Sequence, residues 1–132
     1  MRLVLDTNVL IAAFISHGVC NELVEYCVLH HDVITSTFIR DEFQRTLIQK
    51  FKFPRADAVN ADRLLSRRLI RVRPLKLDKP VCRDRDDDTI LGTALAGNCR
   101  CVVTGDKDLL SLRRYHAIDI LAPGDFWRYE NA

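Results

Sequence analysis

The sequence has little glycine, little proline and no long apolar run. Its 132 residues include only 5 Gly and 4 Pro, beside 48% hydrophobic and 29% charged residues, a balance that excludes a low-complexity or disordered chain. The apolar start is interrupted by Asp6 and Asn8 well short of the length that a membrane span requires, and it lacks a signal-peptide cleavage pattern. We therefore expect one folded domain over residues 1–132, cytoplasmic and without a membrane partner.

Cysteine is sparse and odd in number. The five residues are Cys20, Cys27, Cys82, Cys99 and Cys101, and their scatter fits neither a disulfide framework nor paired CxxC zinc knuckles. Cys99 and Cys101 would point the same way on a strand, so a metal site there stays open. Buried reduced thiols are the interpretation we favour.

Motifs for several common enzyme classes are also missing. The sequence contains no GxGxxG, no Walker GxxxxGK[ST] and no GxSxG or HExxH, which argues against dinucleotide or NTP binding and against a serine hydrolase triad. The histidines show no ligand spacing, and we assign them surface or structural roles. They are His17, His30, His31 and His116.

What the sequence does contain is an alternation of branched apolar runs with helical stripes. The runs predict strands over 3–5, 33–35, 70–72, 101–103 and 118–121. The stripes predict helices over 9–14, 22–29, 38–48, 56–68, 88–96 and 107–112, with Asn21 and either Ser36 or Thr37 as caps and a loop over 74–86. This order predicts an α/β fold, a three-layer α/β/α sandwich around a central, mostly parallel sheet.

Acidic residues follow two of the predicted strands. Asp6 comes after strand 3–5 and Asp106 after strand 101–103, and the carboxyl ends of parallel strands meet at the edge where such sheets bind ligands. Glu42 lies in the first turns of the helix after the second strand, and Asp88 begins a helix after a long loop. We therefore expect these four carboxylates to converge.

Clustered carboxylates repel one another in a partly desolvated pocket unless a cation is present. Mg²⁺ prefers oxygen ligands, and Mn²⁺ accepts a similar site. Beside a phosphate, such an ion lowers the pKa of a bound water and stabilises negative charge during in-line displacement. The acidic pattern thus predicts a Mg²⁺ or Mn²⁺ site suited to phosphodiester chemistry.

Four segments in this order resemble the PIN-domain family, and within it the toxin components of type II toxin–antitoxin systems. They are LVLDTNVLIAAF, FIRDEFQRTL, CRDRDDDTILGTALAGNC and CVVTGDKDLL. DTN or TGD alone is unspecific, whereas the ordered set covers nearly the whole chain. The resemblance implies a metal-dependent endoribonuclease with the acidic quartet Asp6, Glu42, Asp88 and Asp106. It also implies three partners: single-stranded RNA, an antitoxin protein and a second copy of the chain in a homodimer.

Supporting residues follow from the same resemblance. Asn8 and Thr104 correspond to polar residues that orient the carboxylates. The third acid stays open among three adjacent residues, and we prefer Asp88 because the helix TILGTALA follows it directly. The others are Asp86 and Asp87. Asp108 is a similar rival of Asp106, and we place Asp87 and Asp108 in the supporting set.

Other interpretations stay open beside this one. Arg63, Arg67 and Arg68 share a helix and form either a solvated face or an RNA-binding strip. Acids at strand ends also occur in Mg²⁺-dependent phosphoryl-transfer domains, although the DxD of phosphatases is absent because Asp6 precedes Thr7 and Asn8. A non-catalytic PIN-like module that binds RNA or a protein partner is disfavoured, because all four acids are present.

Overall fold

The computed structural model describes residues 1–16 and 18–132; the role predicted for His17 lies outside the described residues. Within these ranges, one sheet has the strand order β3-β2-β1-β4-β6-β5. Every neighbouring pair is parallel except β5 with β6, which is antiparallel. The strands are β1 (Arg2–Leu5), β2 (Asp32–Thr35), β3 (Ile70–Arg71), β4 (Cys101–Val103), β5 (Arg114–Tyr115) and β6 (Ile118–Leu121).

Helices complete the three-layer α/β/α sandwich that the alternating pattern predicts. They are α1 (Thr7–Ile15), α2 (Val19–His30), α3 (Thr37–Gln49), α4 (Arg55–Ser66), α5 (Arg85–Ala96), α6 (Lys107–Leu112) and α7 (Phe126–Glu130). The short strand β5 and the C-terminal helix α7 were not predicted. No single helix in the described residues is long and apolar enough to cross a membrane.

The core lies around the central strands β1 and β4. Leu3, Val4 and Leu5 of β1 are almost wholly buried, as are all three residues of β4, because helices cover both faces of a parallel sheet. The buried thiols of Cys99 and Cys101 belong to this core. They are free, and burial raises the pKa of each to about 12.

Helices α2 and α5 each begin three residues before the predicted start. Asn21 does not cap α2: it lies inside the helix, where its side-chain amide donates to the Ala13 carbonyl at 2.9 Å, and Gly18 is the cap. Helix α5 begins at Arg85, three residues before the predicted start, because the Asp84 carboxylate accepts a hydrogen bond from the Asp86 N–H at 2.9 Å and caps it. The acidic run therefore lies on the first turn of a helix.

Candidate metal centre

A cavity of about 440 Å³ opens at the carboxyl edge of the sheet. Strands β1 and β4 pair in parallel with Leu5 beside Val103, so the residues that follow both strands reach the same edge. Helices α1, α3 and α5 supply the other walls. The acidic residues that line the cavity are Asp6, Glu42, Asp84, Asp86, Asp87 and Asp106.

Asp6 is fixed in place at the start of α1. Its N–H donates to the Val103 carbonyl at 2.9 Å, while its carboxylate accepts from the Thr7 N–H and from the Thr104 hydroxyl, each at 2.7 Å. Burial raises the pKa of Asp6 to about 6, and these two hydrogen bonds oppose that shift. The negative charges of Glu42 and Asp106 raise this pKa further.

Asn8 and Thr104 connect the two strand ends. The Asn8 amide nitrogen donates to Asp6 at 3.2 Å, and its oxygen accepts from the Gly105 N–H at 2.9 Å. The Thr104 hydroxyl donates to Asp6 and also accepts from the Asp106 N–H at 3.0 Å. These hydrogen bonds hold the loop after β1 against the loop after β4, so that Asp6 and Asp106 reach the same cavity.

Asp106 is the cap of α6, and Asp108 is the second residue of that helix. Asp106 caps this helix by accepting from the Asp108 N–H at 2.9 Å, and it lines the cavity. Asp108 does not line it, and its carboxylate binds the exposed Arg83 at 3.0 Å. One carboxylate oxygen each from Asp87, Asp106 and Asp108 nevertheless lie within 4.8 Å of one another, so Asp108 borders the site at its rim.

The expectation that Asp88 converges with the other acids is not met. Its carboxylate points to the loop before α5 and accepts from the Val81 N–H at 3.2 Å and the Cys82 N–H at 2.8 Å. Asp87 lines the cavity instead. Since successive helical residues are rotated by about 100°, the early start of α5 turns Asp87 toward the cavity and Asp88 away from it.

Asp87 has a strongly raised pKa, because it is buried beside other carboxylates. Its side chain is buried, and burial is the largest of the effects that raise its pKa to about 7. A hydrogen bond shared with Asp106, and the charges of Asp106, Asp84 and Asp6, raise this pKa as well. Without a cation Asp87 therefore keeps a proton at pH values where a free carboxylic acid has lost it.

The donor set fits a hard divalent cation. Asp6, Glu42, Asp87 and Asp106 offer carboxylate oxygens from four separate elements to one cavity, and among residues 1–16 and 18–132 no histidine or cysteine lines it. Sites built of oxygen donors are typical of Mg²⁺ and Mn²⁺, whereas zinc sites usually include histidine or cysteine. Burial and the neighbouring carboxylates raise the pKa values of Asp6 and Asp87, and a cation bound between these groups would offset their mutual repulsion.

The rest of the cavity was not predicted as part of a site. One wall is a stripe along α3, spaced four residues apart and ending at the helix cap: Phe38, Glu42, Thr46 and Lys50. The signal is in the sequence, because residues four apart share a helix face, but of this stripe only Glu42 was predicted to belong to a site. The prediction that Arg63, Arg67 and Arg68 share a helix is wrong, because α4 ends at Ser66. None of the three lines the cavity, and Arg68 pairs with Glu25 at 3.1 Å.

The chain belongs to the PIN-domain family, whose family model, described as "PIN domain", matches residues 2–108. No curated protein matches the chain.

Two solved structures share the fold. A chain in the crystal structure of VapBC2 from Rickettsia felis, bound to a DNA fragment from its promoter, is 16% identical, with a TM-score of 0.68 over 92% of this chain and 98% of that one. A chain in the structure of VapBC-1 from nontypeable Haemophilus influenzae is also 16% identical, with a TM-score of 0.66 over 94% of this chain and 99% of that one. At this identity the likeness concerns the fold.

Proposed function

We propose that this protein is a Mg²⁺- or Mn²⁺-dependent endoribonuclease that cleaves single-stranded RNA. The proposed metal ligands are Asp6, Glu42, Asp87 and Asp106. The observation that carries the proposal is their convergence: four carboxylates separated by up to a hundred positions line one cavity at the carboxyl edge of a parallel sheet. Membership of the PIN-domain family supports the nuclease assignment.

The residues around the cavity have different roles in the proposed reaction. When bound, Mg²⁺ or Mn²⁺ supplies an activated water and neutralises negative charge on the phosphate oxygens. Thr104 and Asn8 hold the Asp6 carboxylate through hydrogen bonds, so that it is oriented before substrate arrives. Asp87 would hold the ion together with Asp6, Glu42 and Asp106, or would accept the proton that the attacking water releases.

The phosphoryl-transfer alternative has less support from the sequence. The second aspartate of a phosphatase DxD is absent, because Asp6 is followed by Thr7 and Asn8, and the Asn8 amide donates a hydrogen bond to Asp6 instead. We therefore assign Asp6 as a metal ligand and not as a nucleophile. Stable aspartyl phosphate formation would reverse this assignment.

An antitoxin protein is the proposed protein partner, and a homodimer the proposed assembly. The resemblance to toxin components and the shared fold with chains of two VapBC structures support the first. A small neighbouring reading frame whose product co-purifies with the chain tests it. Light scattering of the purified chain tests the second.

Metal-dependent cleavage of RNA tests the proposed activity. Wild-type protein incubated with labelled single-stranded RNA should cleave it in Mg²⁺ or Mn²⁺ and not in EDTA, and it should leave a duplex of the same sequence largely intact. Asp6→Asn should abolish cleavage while the circular dichroism spectrum stays native. Wild-type protein that binds RNA without cleaving it in either metal would favour a non-catalytic binding module.

A further inference from the structure

The cavity extends well beyond its acidic end. Along α3, Glu42 and Lys50 are two four-residue steps apart on the wall of the cavity, which places them about 12 Å apart along the helix axis. Helix α1 forms the facing wall with the apolar side chains of Ile11, Ala12 and Ile15. The cavity is thus a groove with carboxylates at one end, apolar walls along it and a lysine at the other end. We call this far end the Lys50 end.

The Lys50 end combines a cation with an aromatic ring. The Lys50 ammonium lies 5.8 Å from the centre of the Phe51 ring, which is within range of a cation–π contact. Lys50 is exposed and forms no ion pair with any residue that the structure describes. Phe51 is half-buried and lines the groove, so its ring is available to a ligand at this end.

This pattern of charge matches a nucleotide of a single strand. A phosphodiester at the acidic end interacts with the cation held there, and the next phosphate along the strand needs a positive partner of its own. Aromatic side chains bind unstacked bases, and lysines bind phosphates, in proteins that recognise single strands. The volume of the groove, about 440 Å³, lies within the range of pockets that enclose small organic ligands.

We propose that the Lys50 end is a nucleotide-binding subsite, in which the base adjacent to the scissile phosphate packs on Phe51 while Lys50 pairs with the neighbouring phosphate. This inference rests on the proposed ribonuclease function. It also gives that function a physical reason for preferring single strands, because a base can enter the groove only when it is unstacked and unpaired.

Kinetics on substitutions at this end test the proposal. The substrate is a fluorescently labelled single-stranded RNA of about ten nucleotides, within the usual site size of such proteins, whose cleavage position is mapped first. In single-turnover cleavage with Mn²⁺, Lys50→Gln and Phe51→Leu should each raise the half-saturating protein concentration by about tenfold, the scale of one lost stacking or charge contact. The maximal rate should stay within about threefold of wild type, because the carboxylates are untouched.

Lys52→Gln is the matched control, since Lys52 is exposed two residues further on and does not line the groove. A phosphate contact has its own signature in the dependence of binding on salt. The slope of log affinity against log salt should become shallower by about 0.7 in Lys50→Gln, the value for one contact to a single strand. It should not change in Lys52→Gln.

An abasic nucleotide next to the cleavage site tests the base contact without relying on the fold of any variant. It should weaken binding to wild type, and the loss should not add to that of Phe51→Leu, because both remove the same contact. Additive losses, or wild-type binding by both Lys50→Gln and Phe51→Leu, would overturn the subsite while the ribonuclease stands. Absence of cleavage by wild type in every metal would overturn the proposed function itself, and the subsite with it.

Discussion

Asp87 and Asp88 are adjacent in the sequence but occupy different environments. Asp87 is buried beside other carboxylates and lines the cavity, whereas Asp88 points away from it and accepts hydrogen bonds from two backbone N–H groups of the preceding loop. Asp6 and Asp106 also accept backbone hydrogen bonds, so the direction in which the side chain points decides which aspartate can reach an ion in the cavity. The same residue type therefore has two roles within one helical turn.

Paired substitutions separate these roles. Asp87→Asn should weaken Mn²⁺ binding and lower single-turnover cleavage by about a hundredfold or more, equivalent to roughly 2.7 kcal/mol in the transition state, because a negative ligand is lost. Asp88→Asn keeps an oxygen that can accept from Val81 or Cys82, so cleavage should stay within about fivefold of wild type. Calorimetric titration with Mn²⁺ and RNA cleavage measure both. A folded Asp88→Asn protein without Mn²⁺ affinity would restore Asp88 as the ligand.

The pH dependence of stability tests the electrostatic account of Asp87. Its pKa is about 7 in the folded protein against an ordinary value of 3.8, so the folded state binds the proton more tightly than the unfolded state. Without metal, stability therefore falls as pH rises from about 4 to about 7. Asp87→Asn removes this loss and should melt higher at pH 8, by about 4 °C for each 1 kcal/mol recovered. The two melting temperatures should converge near pH 4.

Saturating Mg²⁺ should reverse the order, because an ion that binds only the folded wild type stabilises it. Asp88→Asn is the control: without metal at pH 8 it should not melt at a higher temperature than wild type. An Asp87→Asn protein that melts below wild type at pH 8 without metal would contradict the account.

At the scale of elements, α5 shows what sequence reasoning could reach and what it could not. Its apolar and small residues predict the helix, and the strand before it is placed correctly by its branched residues. Its start is not predictable from the run DRDDD, since each aspartate is a good cap. In the structure Asp84 caps the helix, while Asp88 accepts hydrogen bonds from the Val81 and Cys82 N–H groups. These N–H groups approach Asp88 only once the loop has folded, so the sequence does not reveal which aspartate is the cap.

The C-terminal elements were missed for a related reason. Strand β5 has only two residues, Arg114 and Tyr115, and pairs antiparallel with β6, so it has no period to detect. Helix α7 has five residues and is held by contacts with distant elements, chiefly the fully buried Phe126 and a hydrogen-bonded Glu130. Central strands and long amphipathic helices could be predicted from local pattern, whereas elements stabilised by tertiary contacts could not.

Glu130 supplies the next prediction. It accepts hydrogen bonds from the Tyr26 hydroxyl at 2.6 Å and from the His31 ring, and these bonds lower the pKa of Glu130. A lowered pKa adds stability above the ordinary value of 4.5 and loses it as pH falls. Glu130→Gln should therefore melt below wild type at pH 7, by about 4 °C, with the gap closing below pH 4.

Arg128→Gln is the control on the same helix. Arg128 pairs with Asp125 at the exposed surface, and such pairs add little to stability. Thermal melts of both variants across this pH range give the comparison. A Glu130→Gln protein as stable as wild type at pH 7 would show that the hydrogen bonds of Glu130 do not help to hold α7.

At the scale of the whole molecule, the fold brings together charges that the sequence keeps apart. The net charge is only +2, yet the sheet gathers Asp6 and Asp106 at one edge, and the helices add Glu42 and Asp87. The parallel order of β1 and β4 produces this convergence, because both strands end at the same edge. The molecule thus forms an anionic centre within a chain of nearly balanced charge, and we propose that this centre binds a divalent cation.

The anomalous signal of Mn²⁺ in crystals of the wild-type protein tests that claim most directly, since it locates the ion without reference to activity. We expect an anomalous peak between the carboxylates of Asp6, Asp87 and Asp106, with Glu42 bound directly or through a water, at coordination distances of about 2.2 Å. The peak should be absent from crystals of Asp87→Asn grown at the same Mn²⁺ concentration. A peak at Asp88, or no peak in this cavity at saturating Mn²⁺, would contradict the account.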